Sequence, residues 1–155
     1  MKLSLLADNP QEKINIAQWY FDEWLHIIPG MTVERISQKL SQSDNRSKAP
    51  LMILAHKNGQ LAGVVELKFR ENAHYPEYEH WLGGLFVNPL NRGQGISRSL
   101  IDEVKKHAAQ FGVTKLYLQC ETKNIDLYLQ NNFSFLHTAK HGKKLVSIML
   151  FKIDI

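Results

Sequence analysis

Three clusters in the chain carry residue types that can do chemistry. The first is Arg92-Gly93-Gln94-Gly95-Ile96-Ser97, two glycines and an arginine set between an apolar run ending at Val87 and the amphipathic stretch that follows. Backbone amides freed at the start of a helix, together with the positive end of its dipole, attract anions, and glycines let a phosphate come close to the main chain. The second is Asn124 with Tyr128, four residues apart and so on one face of a helix, where both can reach one ligand. The third is "ENAHYPEYEH", where Glu71, Glu77 and Glu79 alternate with Tyr75 and Tyr78 and no lysine or arginine intervenes. Acids beside aromatic faces suit a cationic amine; the same composition also suits an ordinary polar connection with surface tyrosines.

These clusters need elements to hold them. Asn9-Pro10-Gln11-Glu12 has helix-starting spacing, and Ile14, Ala17, Phe21, Trp24, Leu25 and Ile28 recur as one apolar face until Pro29-Gly30. Thr32 is placed to cap a shorter helix with the stripe Val33, Ile36 and Leu40. The runs "LMILAH" and "LAGVVELKF" flank Asn58-Gly59, which predicts a hairpin. "WLGGLFV" reads as a strand stopped by Pro89, and Ile96, Leu100, Ile101, Val104, Ala108 and Phe111 mark a helix ended by Gly112. "KLYLQC" alternates as a strand, "NIDLYLQNN" is a short helix, and "FSFLHT" and "LVSIMLFKI" form a closing hairpin around "AKHGKK". Helix-linked strands in the middle and hairpins at both ends imply an α/β fold, a mixed and mostly antiparallel sheet with helices on both faces, in one domain spanning residues 1–155.

Composition excludes several classes. The 155 residues hold one cysteine, Cys120, so there is neither a disulfide framework nor a thiolate-rich metal site, and a reducing, cytoplasmic setting is expected. The apolar start ends at Asp8, too early for a signal peptide, and no run has membrane-spanning length. The net charge of +4 comes from scattered lysines and arginines, which fits a small polyanion better than nucleic acid. His137 and His141 have helical metal spacing but flank a hairpin turn, so no metal is expected. Trp24 and Trp81 are expected to pack in the core or a pocket. The glycine cluster is neither a dinucleotide fingerprint, which needs glycine or alanine where Arg98 stands, nor a Walker loop, which needs Lys and then Ser or Thr after the second glycine.

What remains, Arg-Gly-Gln-Gly-Ile entering an amphipathic helix, then a strand, an Asn and a helix with Leu-Tyr, resembles the GNAT superfamily of N-acetyltransferases from about Leu82 to Phe135. The family's loop carries Gly or Ala where this chain has Ser97, a small residue whose hydroxyl can itself face phosphate. The resemblance implies acetyl-CoA as cofactor and acetyl transfer to the primary amine of a small molecule or peptide, by direct attack. It implies that the backbone of Leu85, Phe86 and Val87 lies along the pantetheine arm, that the amides of Arg92, Gly93, Gln94, Gly95, Ile96 and Ser97 hold the pyrophosphate, and that Asn124 contacts the arm. Tyr128 is then placed near the sulfur as general acid, since a phenol stays protonated at neutral pH. The general base is sought in Glu79, with Glu77, His80 and Glu121 as further candidates, and Cys120 as an acetyl carrier is the minority route. Dimers are common in the family, so a homodimer is an open expectation. A non-catalytic CoA-binding module is the alternative reading. The N-terminal half carries no signature of the acceptor.

Overall fold

A computed structural model describes residues 1–154. The sheet has seven strands: β1 Lys2–Leu5, β2 Leu51–Lys57, β3 Gln60–Phe69, β4 His80–Val87, β5 Lys115–Cys120, β6 Ser134–His141 and β7 Lys144–Lys152. They lie side by side in the order β1-β2-β3-β4-β5-β7-β6. Every neighbouring pair is antiparallel except β4 and β5, which run parallel because a helix connects them. The helices are α1 Lys13–Glu23, α2 Val33–Leu40, α3 Ile96–Gln110 and α4 Ile125–Gln130. None is long and apolar enough to cross a membrane.

Alternation along the strands sends side chains to two cores. Leu51, Ile53, Val65, Leu67, Leu82, Leu116 and Leu118 pack with Ile96, Leu100, Ile101 and Val104 of α3 and with Tyr128 of α4. Met52, Leu54, Val64 and Phe86 pack on the other face with Ile16, Ala17 and Tyr20 of α1 and Ile36 and Leu40 of α2. The sheet is therefore covered on both sides. Beyond α1, the α1/α2 face continues as an aromatic cluster in which Trp81 is fully buried beside Tyr117.

Local signals explain most boundaries. Asn58 and Gly59 have φ of 53° and 78°, the pair of left-handed values that a two-residue hairpin turn requires. The Thr32 hydroxyl accepts from the Arg35 amide at 3.1 Å and starts α2. Gly112, at φ 77°, ends α3, and the next amide, Val113, returns to the Ala108 carbonyl at 3.0 Å.

The N-terminal region departs from the sequence reading in four ways. Lys2–Leu5 is an edge strand on β2, whose short apolar run says little until its partner is known. Asn9 caps nothing; its amide bonds back to Ser4 Oγ at 2.9 Å and the Leu5 carbonyl at 3.2 Å, and a 3-10 turn over Pro10–Glu12 precedes α1. The buried face of α1 is Ile16, Ala17 and Tyr20, whereas Ile14, Trp24 and Ile28 are 48%, 40% and 43% exposed. The helix also stops at Glu23, so the apolar repeat projected to Ile28 continues over a 3-10 turn and loses its phase.

Candidate active site

The parallel pair β4–β5 is joined only at its beginning, where His80 faces Leu116 and Trp81 faces Tyr117. Past Trp81 the two strands part, and the edge of β4 from Leu82 to Val87 has no ladder partner on that side. On its other side β4 follows β3 until a bulge: Val64 pairs with Phe86 and Glu66 with Gly83, so Gly84 and Leu85 together oppose Val65. The strand therefore turns away from β5 at Gly84, whose φ is 58°. Of the three predicted pantetheine-side residues, Leu85 and Val87 face α3, and Phe86 is buried against α1. All three lie along the opening.

The chain leaves the opening through a tightly held corner. Asn88 donates its amide to the Ala62 carbonyl at 2.8 Å and accepts the Leu90 amide on its side chain at 3.1 Å. Gly93 and Gly95 have φ of 77° and 80°, and nothing lies within 4 Å of where a Cβ would stand on either. Gly95 is the residue before α3 and gives the helix no side-chain cap, and the first carbonyl taken up by the helix is its own, from Ser99 at 3.1 Å. The amides from Gly95 onward therefore open a 15-residue helix that has no side-chain cap, and uncapped amides at a helix start attract anions.

The Arg92 side chain has another role: its Nε donates to the Val87 carbonyl at 3.0 Å, and its guanidinium lies 5.5 Å from the centre of the Phe86 ring. It ties the loop to the end of β4. Lys57, from the β2–β3 hairpin, donates to Gln94 Oε1 and brings a cation to the same loop.

On the α3/α4 side of the opening, Tyr128 has a buried ring, 6.0 Å and edge-on to Phe133, and its hydroxyl has no protein partner among the described residues. Burial, and then the nearby Cys120, hold its pKa well above the usual phenol value, so it stays protonated. Asn124 is exposed and lies in the 3-10 turn just before α4, so the pair shares a helix end rather than two turns of one helix. Cys120 is buried with its Sγ 3.8 Å from Met149 Sδ, and burial followed by Glu121 pushes its thiol up to about 11. A thiol so placed is a poor nucleophile.

The acidic loop does not act as a unit. Glu79 is exposed, bridges Arg70 at 3.5 Å, and sits at the joined end of β4–β5. At about 3.3 Å per residue it is roughly 16 Å along the strand from Gly84. Glu79 thus stands just before β4, where the sequence reading put it, with the length of the strand between it and the bulge. His80 packs edge-on to Phe69 at 5.4 Å, with burial lowering its pKa against the opposing pull of Glu79. Glu121 is held by Lys144 at 3.3 Å, and that hydrogen bond, with the lysine's charge, lowers its pKa. Tyr75 stacks on Tyr78 at 5.1 Å and Tyr78 on Tyr117 at 4.1 Å, with the Tyr78 hydroxyl 2.9 Å from His137 Nε2, so these rings pack onto the sheet. His137 is thereby part of this stack, and no group of three metal-ligating side chains exists among the described residues.

Glu71 alone of the three acids reaches the bulge. On the α1/α2 face, over Gly83 and Gly84, it meets Glu66 and Lys68 of β3: Lys68 Nζ is 3.8 Å from Glu66 Oε2 and 3.1 Å from Glu71 Oε2. Burial works to lower the Lys68 pKa, but the two carboxylates outweigh it and hold the ammonium. Ser43 donates to Glu66 Oε1 at 3.2 Å, and the Tyr20 hydroxyl donates to the Gly84 carbonyl at 2.7 Å. The sequence reading passed over Glu66 and Tyr20. A single Glu inside the apolar run "LAGVVELKF" was the available signal for Glu66; for Tyr20 there was none.

The comparisons agree with this geometry. The fold is that of a GNAT family acetyltransferase from Streptococcus pneumoniae, 18% identical, with 99% of this chain and 100% of that one covered and a TM-score of 0.72. It is equally that of a ribosomal-protein-alanine N-acetyltransferase from Brucella melitensis, 18% identical, covering 99% and 100% with a TM-score of 0.74. An aminoglycoside 6'-N-acetyltransferase complexed with coenzyme A, 14% identical, covers 98% and 97% with a TM-score of 0.76. No curated protein sequence matches the chain. The model of the GNAT acetyltransferase family matches residues 14–135, from α1 through the glycine loop and α4 to the first residues of β6, and by that match the chain belongs to the GNAT acetyltransferase family.

Proposed function

We propose that the protein is an N-acetyltransferase that moves the acetyl group of acetyl-CoA onto a primary amine by direct attack. The observation that carries this reading is the single opening between β4 and β5, with unpartnered loop amides at one end and the free, protonated Tyr128 hydroxyl on its wall. A pyrophosphate fits the Gly93–Ser97 loop, because the two left-handed glycines leave its approach clear. The solved relatives with coenzyme A and with acetyl-CoA bound support the same cofactor. Bound there, acetyl-CoA supplies an activated acyl group on a thiol leaving group.

The chain's own residues divide the remaining work. Amides of the loop and of α3's first turn hold the phosphates, with Lys57 adding a positive charge near Gln94. The edge of Leu85–Val87 that has no partner in β5 aligns the pantetheine arm, with the Val87 carbonyl already taken by Arg92, and Asn124 borders it. Tyr128 protonates the departing thiolate. Over the whole reaction an alkylammonium and acetyl-CoA become an amide, a free thiol and one proton released to solvent. Cys120 takes no covalent part.

The acceptor amine is read onto the α1/α2 face, at Gly83 and Gly84. Two carboxylates against one lysine leave Glu66, Glu71 and Lys68 with a net negative charge there, which favours a cationic acceptor. Acceptors named for the relatives include aminoglycosides and ribosomal-protein alanine, both amines.

The test is a screen of purified amines with acetyl-CoA, reading free thiol, in the wild type and in Tyr128→Phe. Acetylation of at least one amine, lost in the variant while coenzyme A still binds, is the expected result. Coenzyme A binding with no turnover on any amine class would instead assign a non-catalytic binding module.

A further inference from the structure

Tyr20 makes a contact that neither the packing of α1 nor the acetyl chemistry accounts for. Its hydroxyl crosses from α1 to the Gly84 carbonyl, 64 positions along the chain, at 2.7 Å. The ring is fixed by Trp24 at 5.3 Å, itself edge-on to Phe86 at 6.1 Å, so the hydroxyl has little freedom. Tyr20 is 5% exposed. Burial, then the adjacent Glu66, hold its pKa well above the ordinary value, so the hydroxyl stays protonated and can donate.

The carbonyl it takes lies where the β3–β4 ladder is broken. Gly84 has φ 58°, and a Cβ there would lie 2.4 Å from the Tyr20 hydroxyl and 2.5 Å from Glu66 Oε2, so only glycine permits this bond. In a planar trans peptide the carbonyl and the following N–H point in opposite directions. With the Gly84 carbonyl drawn toward α1, the Leu85 N–H turns toward the opposite face, which carries Tyr128.

We propose that Tyr20 is a positioning residue for acetyl transfer: its hydroxyl holds the Gly84–Leu85 peptide so that the Leu85 N–H points at the thioester carbonyl oxygen. The inference rests on the acetyl group lying in the β4–β5 opening, as proposed above. When the amine nitrogen bonds to the carbonyl carbon, the π pair moves onto the oxygen, and the Leu85 N–H receives that charge. The pair then returns as the C–S bond breaks, and the leaving sulfur takes the Tyr128 proton. A donor already aimed at the oxygen needs no reorganisation at that moment.

The experiment uses the ketone analogue of acetyl-CoA, in which a methylene separates sulfur from the carbonyl so that transfer cannot occur. With ¹³C at the carbonyl, its infrared stretch is measured free, bound to the wild type, and bound to Tyr20→Phe, which keeps the ring. The stretch is expected to fall on binding the wild type and to return toward the free value in Tyr20→Phe. The same variant is expected to lose about tenfold in kcat, part of what removing an oxyanion donor outright costs, with the acetyl-CoA KM within about twofold. Gly84→Ala, whose Cβ would displace the hydroxyl, is expected to lose the same shift and serves if Tyr20→Phe does not fold. A variant complex with the wild-type carbonyl frequency overturns the inference. So does a wild-type complex with the frequency of the free ketone, which leaves acetyl transfer itself standing. Failure of the ketone to bind the wild type would sink the proposed function first, and this inference with it.

Discussion

The two sides of the β4–β5 opening are built in different ways. The side we propose for the cofactor comes from one continuous stretch, β4 through α4, in which each element follows the last and the groups proposed to act are backbone amides and one tyrosine. The side we propose for the acceptor is assembled from α1, β3 and the loop after it, with Tyr20, Glu66, Lys68 and Glu71 meeting over two glycines of β4. A polyanion with fixed geometry can be held by main chain that any sequence supplies, given glycines to clear the approach. Recognition of a particular amine needs side chains at particular points in space, and these can come from anywhere in the chain. Changes on one side should therefore move cofactor binding or chemistry, and changes on the other should move the acceptor.

The largest effect is expected on the chemistry, with Tyr128→Phe. Loss of the proposed general acid should lower kcat by about a hundredfold while the acetyl-CoA KM changes little. Because burial and Cys120 raise the phenol's pKa, the proton stays on Tyr128 beyond the pH where an ordinary tyrosine ionises, about 10. Wild-type kcat should therefore show no falling limb from this group between pH 9 and 10, measured as thiol release. The same shift has a consequence for stability. The folded state retains a proton that the unfolded state loses above pH 10, so this contribution is complete below that value and declines as the pH rises past it. A falling limb in that interval, present in the wild type and absent in Tyr128→Phe, would show that the hydroxyl is not protected.

Next in size is Gly95→Val, aimed at the cofactor side alone. Nothing crowds the new side chain, so the cost comes from the backbone: φ of 80° is hard for a β-branched residue, at about 1–2 kcal/mol. The loop should relax away from that conformation and weaken coenzyme A binding by about tenfold, with the acceptor KM unchanged. Calorimetry with coenzyme A, alongside acceptor kinetics at saturating acetyl-CoA, checks both halves. A rise in acceptor KM alone would erase the distinction between the two sides.

The same division explains what could be read from the sequence. Gly93, Gly95 and the stripe from Ile96 to Ala108 announce a strand-to-helix junction, because turn and helix chemistry are local. Tyr128 stands out through its spacing from Asn124 and its place after the strand, even though Asn124 lies in the turn before α4. The place of Glu79 just before β4 is legible in the sequence, but its distance from Gly84 follows only from the extended strand, which moves on by more than 3 Å with each residue. Glu66 looks like a charge paired only with its strand neighbour Lys68 until the fold brings Ser43 and Tyr20 against it. The face of α1 was misjudged because Ile14, Trp24 and Ile28 are as apolar as the residues actually buried, and only contact with β2 and β3 decides which stripe turns inward.

On the acceptor side, Glu71→Gln should raise the KM of a cationic acceptor by about fivefold and leave coenzyme A binding unchanged. The effect is moderate because Lys68 already offsets part of the local charge, at 3.1 Å from Glu71 Oε2. Glu79→Gln, at the far end of β4 and bridged to Arg70 on the surface, should change the same KM by less than about twofold. Equal effects from the two substitutions, read in one acceptor assay, would mean that general field rather than local contact sets acceptor affinity.

The smallest effect is expected at Cys120. A covalent route would need its thiolate. With its thiol pushed up to about 11, roughly one molecule in a thousand carries the thiolate at pH 8. The sulfur also faces Met149 inside the α3-side core rather than the acceptor face. Cys120→Ala should therefore keep kcat within about twofold and cost about 1 kcal/mol of stability through lost packing. Slow alkylation of the wild type by iodoacetamide at pH 8, with no acetyl adduct on the intact protein by mass spectrometry after mixing with acetyl-CoA, would agree. An acetylated Cys120 that forms and decays at the rate of turnover would move catalysis off the direct path, and Tyr128 would then act in forming the adduct rather than in acetylating the amine.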